Sequence, residues 1–214
     1  MSTDEPITVT IWSDVVCPFC NVARERAAWL SREAGVRIEW LPFDLHPEYP
    51  PEGIAREDLM RRYPASMHEA VEGMHADAQM VYNPHPETVP NTRTALELIE
   101  WGRTKEAHDA LHERVMDAYW TEGRDIGDWE VLRACVADVG LDPAEAEAMV
   151  SSGAFAASVS ASTQTAQRLG ISGVPAFVFD QRLLVSGAQP HEVLEKAIEQ
   201  VGRMRADEAA AAPG

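Results

Sequence analysis

The sequence predicts an α/β fold in which a β-α-β unit and a C-terminal β-β-α unit flank a large all-helical insertion. Three observations carry this expectation. Alternating, β-branched segments open and close the chain, in ITVTIW and VPAFVFD. An amphipathic helical pattern follows the first of them directly. Helical periodicity then dominates from Ile54 to about Gly170.

Taken in order, Ile7 to Trp12 alternates and reads as a strand. From Pro18 to Ala34 the pattern turns helical, with Phe19, Val22, Arg26 and Trp29 at spacings of three and four, and Gly35 marks the stop. Val36 to Phe43 (VRIEWLPF) alternates again and reads as a second strand. A Pro-rich turn, HPEYPPEG, leads into the helical block. There Leu111, Val115 and Tyr119 form one apolar stripe, and Val131, Leu132, Cys135, Val136 and Val139 form another. Breaks fall at Tyr82 to Asn91 (YNPHPETVPN) and at TEGRDIGD, and the span fits about half a dozen helices. Strand signals return in Val174 to Asp180 and Arg182 to Gly187, with a turn at Asp180-Gln181 joining them as a hairpin. A last helix follows Pro190 to about Met204, and ADEAAAAPG is expected to fray into solvent. The boundaries are therefore 1–45 and 171–205 for the two halves of one α/β domain, 46–170 for the insertion and 206–214 for a flexible tail.

At 214 residues the chain can bury a substantial core without staples. Its net charge of −17 leaves no basic excess to neutralise phosphates, so nucleic acid is not an expected partner, and an anionic membrane surface is not either. The N-terminus is acidic where a signal peptide carries its basic region, and no apolar core follows. No window approaches a membrane span of about 18 apolar residues. A cytoplasmic location is expected. Three cysteines make no disulfide framework for a chain of this length, so a close pair in a reducing compartment points to catalysis or metal binding.

That pair is Cys17 and Cys20, enclosing Pro18 and Phe19 in SDVVCPFC. A helix beginning at Pro18 leaves Cys17 at its N-terminal cap, where free N–H groups and the helix dipole stabilise an anion. Three-residue spacing puts the second sulfur within one turn, which suits an attacking and a resolving thiol. A zinc site needs about four ligands. The remaining cysteine, Cys135, lies in an apolar helical stripe and no second C-x-x-C exists. No metal is expected, and redox chemistry is favoured over two inert buried thiols.

The other constellations have plainer readings. His108 and His112 in HDALH echo a zinc-hydrolase spacing, but Asp109 replaces the glutamate and no third ligand is apparent, so two solvated helix histidines are expected. Met60, Met67, Met74 and Met80 give the early helices a flexible apolar stripe, read as core packing or as an adaptable substrate surface. Cys135 reads as a small buried hydrophobe. Pro175 opens the first strand of the β-β-α unit.

Five ordered motifs extend the pattern: DVVCPFC at 14–20, LPFDLHPEYPPEG at 41–53, VPNTRTALELIEWG at 89–102, AYWTEGRDIGD at 118–128 and GVPAFVFD with LVSGAQ at 173–189. Across residues 7–203 the chain resembles the DsbA-like branch of the thioredoxin superfamily, specifically its cytoplasmic FrnE-like members. The resemblance implies a thioredoxin fold with a helical domain between its halves, in agreement with the element order. It implies a thiol–disulfide oxidoreductase of reductase or isomerase type, acting on protein or small-molecule disulfides and restored by a cellular thiol reducing system. Cys17 would be the nucleophile, Cys20 the resolving thiol, Pro175 a cis-proline facing the pair, and Val174 the backbone that pairs with an extended substrate. No permanently bound cofactor is implied, with glutathione or an equivalent small thiol as a possible co-substrate. The same branch holds glutathione-linked transferases and hydroxychromene-carboxylate isomerases, so a small-thiol-dependent isomerase or transferase acting on an aromatic metabolite is the alternative. Those relatives usually carry serine where Cys17 stands. Pro18-Phe19 departs from relatives with tryptophan after the proline, which bears on potential and access.

Overall fold

The structure is a computed structural model that describes residues 5–83 and 87–211. β1 (Thr8–Ser13), α1 (Pro18–Ala34) and β2 (Arg37–Pro42) open the chain, as alternation and helical spacing predict. β1 and β2 run parallel, from Thr8 opposite Arg37 to Ser13 opposite Pro42, and α1 is the crossover that parallel neighbours require. Cys17 is the N-cap of α1, and Gly35 ends it in the left-handed conformation (φ 62°), its N–H closing onto Leu30 O.

Beyond β2 the chain leaves the sheet and builds the insertion from α2 (Arg56–Arg62), α3 (Ala65–Asp77), α4 (Arg93–Arg103), α5 (His108–Trp120), α6 (Trp129–Asp138), α7 (Pro143–Ser151) and α8 (Ala156–Arg168). Two of these starts are set by local chemistry. Asp128 caps α6 by accepting from Glu130 N at 2.8 Å, and Asp142 caps α7 by accepting from Ala144 N at 2.9 Å, with Pro143 in the first turn. Each such cap contributes about 1 kcal/mol. The segment also holds a short ladder, β3 (Ile54–Ala55) antiparallel to β4 (Thr88–Val89), inside the span read as helical. Strands this short carry no alternation to read. Gly53 precedes it at φ +78°, where a Cβ would stand 2.4 Å from Val89 O, so glycine lets the two backbones approach. The middle of the expected break at Tyr82 to Asn91, residues 84–86, lies outside the described residues.

The chain then returns with β5 (Ala176–Phe179), β6 (Leu183–Ser186) and α9 (His191–Ala211). β5 pairs antiparallel with β1 and β6 antiparallel with β5, giving one sheet in the order β2-β1-β5-β6. The hairpin turn has Asp180 at φ 52° and Gln181 at φ 58°, the two left-handed residues of a tight hairpin loop. Asp180 is held there by Thr8 N, which donates to its carboxylate at 3.0 Å, and by an ion pair with Arg205. α9 continues past Met204 to Ala211. Its Ala- and Glu-rich end favours helix, and Arg182 secures it through Glu208 at 2.6 Å. Residues 212–214 of the expected tail lie outside the described residues.

Period-two alternation divides the sheet between two cores. Val9, Ile11, Phe177 and Phe179 face one side and pack with Leu30 of α1 and Leu194 and Val201 of α9. Trp12 and Ala176 face the other side with Phe43, Ala166 of α8 and Ile171. A third core belongs to α4–α8, and it reaches Val15, Val16, Cys17 and Cys20. The cysteine pair therefore sits where sheet and insertion meet. Met60 and Met67 depart from a core role: each is 38% exposed, because α2 buries nothing and α3 buries Val71 and His75 alone. Among the described residues no helix is long and apolar enough to cross a membrane.

Candidate active site

β1 ends at Ser13, and the next four residues turn the chain from sheet to helix. Cys17 N donates to Asp14 O at 3.2 Å, and Cys17 O accepts from Cys20 N at 3.0 Å and Asn21 N at 3.2 Å, which starts α1. No side chain caps that start, and Pro18 contributes no N–H. The loop is anchored from the insertion as well: Trp120 Nε1, on α5, donates to Val15 O at 2.7 Å inside the core.

The sequence-derived site residues come together. The Cys17 thiol donates to Val174 O at 3.3 Å, so the loop before β5 lies against the first cysteine. The Val174–Pro175 peptide is cis, and Pro175 is buried while Val174 is half-buried. Cys17 is 4% exposed and Cys20 0%; both are free thiols. Pro18 and Phe19 are half-buried at the rim, with Phe19 packed on the helical core. Burial pushes the Cys20 thiol well up, the neighbouring Cys17 sulfur adds to this, and the Asp14 backbone N–H and Ser13 hydroxyl oppose it. Both thiols are thus buried, Cys20 completely, one helical turn beyond Cys17.

Asp14 is a further member of this site. Its carboxylate is fully buried and accepts from Val16 N (3.2 Å), Leu45 N (2.8 Å) and Thr92 Oγ1 (3.1 Å). It therefore ties the cysteine loop to the segment after β2 and to the start of α4. Its pKa is raised to about 6: burial is the largest cause, the three hydrogen bonds pull it down without offsetting burial, and nearby Asp44 contributes a smaller rise. Sequence spacing shows Asp14 as an acid upstream of the pair, and only the fold brings Leu45 and Thr92 to it.

The two histidines of α5 are buried, not solvated: His108 is 7% exposed and His112 5%. The reason is that α5 packs this face on α4 and on Trp40 of β2, whose ring stacks on His112 at 4.5 Å. His108 lies 2.9 Å from Asp109 and 3.4 Å from Glu100. Burial lowers its pKa, and these two carboxylates outweigh that and raise it. Burial lowers His112 and neighbouring His108 and Arg24 add to that, with Glu113 opposing. Among the described residues no cluster of three or more His, Cys, Asp or Glu is arranged to hold a metal ion. Cys135 is buried at 0% exposure in α6.

A family model described as DSBA-like thioredoxin domain matches residues 8–199. Among solved structures, a probable DsbA oxidoreductase of Streptomyces coelicolor is 26% identical, with a TM-score of 0.82 over 91% of this chain and 89% of that one. A 2-hydroxychromene-2-carboxylate isomerase shares the fold at 22% identity and a TM-score of 0.74, covering 94% and 98%. So does the cytosolic disulfide reductase DsbM of Pseudomonas aeruginosa, solved with GSH, at 19% identity and a TM-score of 0.67, covering 90% and 99%.

Proposed function

The chain belongs to the family of DSBA-like thioredoxin domains, and from that premise we propose that it is a dithiol oxidoreductase working through Cys17 and Cys20. Reduction or isomerisation of protein or small-molecule disulfides is its direction, in the cytoplasm. The observation that carries this reading is the unequal pair. Cys17 caps a helix with its thiol on Val174 O at 3.3 Å, and Cys20 lies fully buried one turn beyond it, its thiol pushed well up by burial.

In the reductive direction the Cys17 thiolate attacks a substrate disulfide and releases one substrate sulfur as a thiol. Cys20 then attacks Cys17 Sγ, the Cys17–substrate bond breaks, and the pair is left as a disulfide. A helix N-terminus favours the attacking anion. The loop of Val174 and Pro175 forms the opposing wall, and Val174 offers its main chain to an extended substrate segment in the manner of an added strand. Glutathione or an equivalent small thiol regenerates the reduced pair; the DsbM relative solved with GSH supports that choice of co-substrate. The likeness to the hydroxychromene-carboxylate isomerase is one of fold, and two neighbouring free thiols one helical turn apart favour exchange over isomerisation of an aromatic metabolite.

Reduction of insulin disulfides by wild type, Cys17→Ser and Cys20→Ser in the presence of a thiol reductant tests the proposal. Cys17→Ser is expected to lose activity, and Cys20→Ser to accumulate a mixed disulfide. Full activity in both variants would sink it.

A further inference from the structure

β1 ends at Ser13, and the loop that carries the cysteine pair begins at the next residue. Ser13 is 4% exposed, and its hydroxyl closes no hydrogen bond among the described residues. His112 of α5 is 5% exposed, and neither of its ring nitrogens has a hydrogen-bond partner among them either. Glu113 stands off at 3.7 Å from His112 Nδ1, beyond hydrogen-bond reach. A buried polar atom left unpaired is costly, and native folds leave very few. Both groups therefore call for a partner from outside the chain.

Ser13 and His112 line one small cavity between β2, α4 and α5, with room for about one water. His108 also lines it but is engaged elsewhere, by Asp109 at 2.9 Å and by Arg103 Nη2 at 2.9 Å. The other lining residues are apolar, so Ser13 and His112 are the groups in this wall that still lack partners among the described residues. A cavity walled by apolar groups alone stays dry, whereas one on which two polar groups converge holds a water. We propose that a single ordered water occupies this cavity and bridges Ser13 Oγ to a ring nitrogen of His112. The site stands independently of the exchange reaction proposed above.

The bridge suits both groups. Trp40 stacks on the His112 ring at 4.5 Å and fixes its plane. Burial lowers the His112 pKa, so at neutral pH the ring offers one donor and one acceptor nitrogen, and a water can serve either. The consequence reaches the cysteine loop. α5 already holds Val15 O through Trp120 at 2.7 Å. The water ties Ser13 to the same helix, so α5 braces the chain on both sides of Asp14. The rival partner for the Ser13 hydroxyl is the Cys20 sulfur, which feels that hydroxyl. That pairing would leave both His112 nitrogens unsatisfied.

A crystal structure of the reduced full-length protein and a double-mutant cycle test the site together. The density is expected to show a water within about 3.2 Å of both Ser13 Oγ and a His112 ring nitrogen. The cycle compares urea unfolding of wild type, Ser13→Ala, His112→Phe and the double variant, phenylalanine keeping a ring on Trp40. With the bridge in place, each single variant is expected to raise the unfolding constant about fivefold, the worth of a typical hydrogen bond. The double variant should raise it by about the same factor, because both changes remove one shared bridge. An empty cavity in the density overturns the proposal. So does a His112→Phe that lowers the unfolding constant, which marks the removal of unpaired nitrogens. Single-variant effects that simply multiply in the double variant mean separate partners, with the hydroxyl on Cys20, and overturn it as well.

Discussion

Asp14→Asn is the sharpest test of how the cysteine loop is built. The carboxyl is fully buried and its pKa is raised from 3.8 to about 6, first by burial, so the folded state holds this proton more tightly than the unfolded chain does. The contribution of Asp14 to stability is therefore fully present below pH 3.8 and is lost as pH climbs through about 6. The interval corresponds to about 3 kcal/mol. Asparagine does not titrate, and the other carboxylates are common to both proteins. The stability of wild type relative to Asp14→Asn should thus fall by about 3 kcal/mol between pH 3.5 and pH 7. Urea unfolding of both reduced proteins across that range measures it; with an m-value of about 3 kcal/mol/M the difference in midpoints moves by about 1 M. A difference that stays flat, or that rises with pH, would falsify the claim that burial outweighs the three donors at this carboxylate.

Two further perturbations probe the walls of the site. Trp120→Phe keeps the packing but strands Val15 O, whose partner is now at 2.7 Å; urea unfolding should show a loss of about 1–3 kcal/mol, the cost of an unsatisfied buried acceptor, and no loss would mean that the loop finds another donor. Glu100 is held down to about 2: burial raises it, and His108 and Arg103 outweigh that. Glu100→Gln should cost about 2 kcal/mol at pH 7 and lower the His108 titration midpoint seen by NMR, since one of the two carboxylates that raise it is gone; an unmoved midpoint would assign His108 to Asp109 alone.

Much of the architecture is legible in the sequence because it is encoded locally. The alternation of Ile7 to Trp12, the apolar spacing after Pro18, the stop at Gly35 and the Asp180-Gln181 turn each act within a few residues, and the structure places strand, helix, cap and hairpin there. The cysteine motif is local in the same sense. What escapes the pattern depends on packing between distant segments. β3 and β4 pair across more than thirty positions with two residues each, and no period is readable in so short a run. The α5 histidines look like surface residues because polarity is read from type. Their burial follows from Trp40 and α4 arriving on the same face.

That distinction bears on the role of the insertion. If α4–α8 merely decorated a thioredoxin-like core, the cysteine loop would be built from β1, α1 and the Val174–Pro175 segment alone. Instead the loop's buried polar atoms are satisfied from the insertion: Val15 O by Trp120, and the Asp14 carboxylate in part by Thr92. Cys17 and Cys20 also share a core with Leu98, Leu111 and Tyr119 of α4 and α5, so the apolar burial that raises Cys20 comes from both sides of the junction. Buried donors and acceptors are costly to leave unpaired. Loosening α5 would therefore expose Cys20 and strand Val15 O together, coupling the packing of the helical segment to the chemistry of the resolving sulfur.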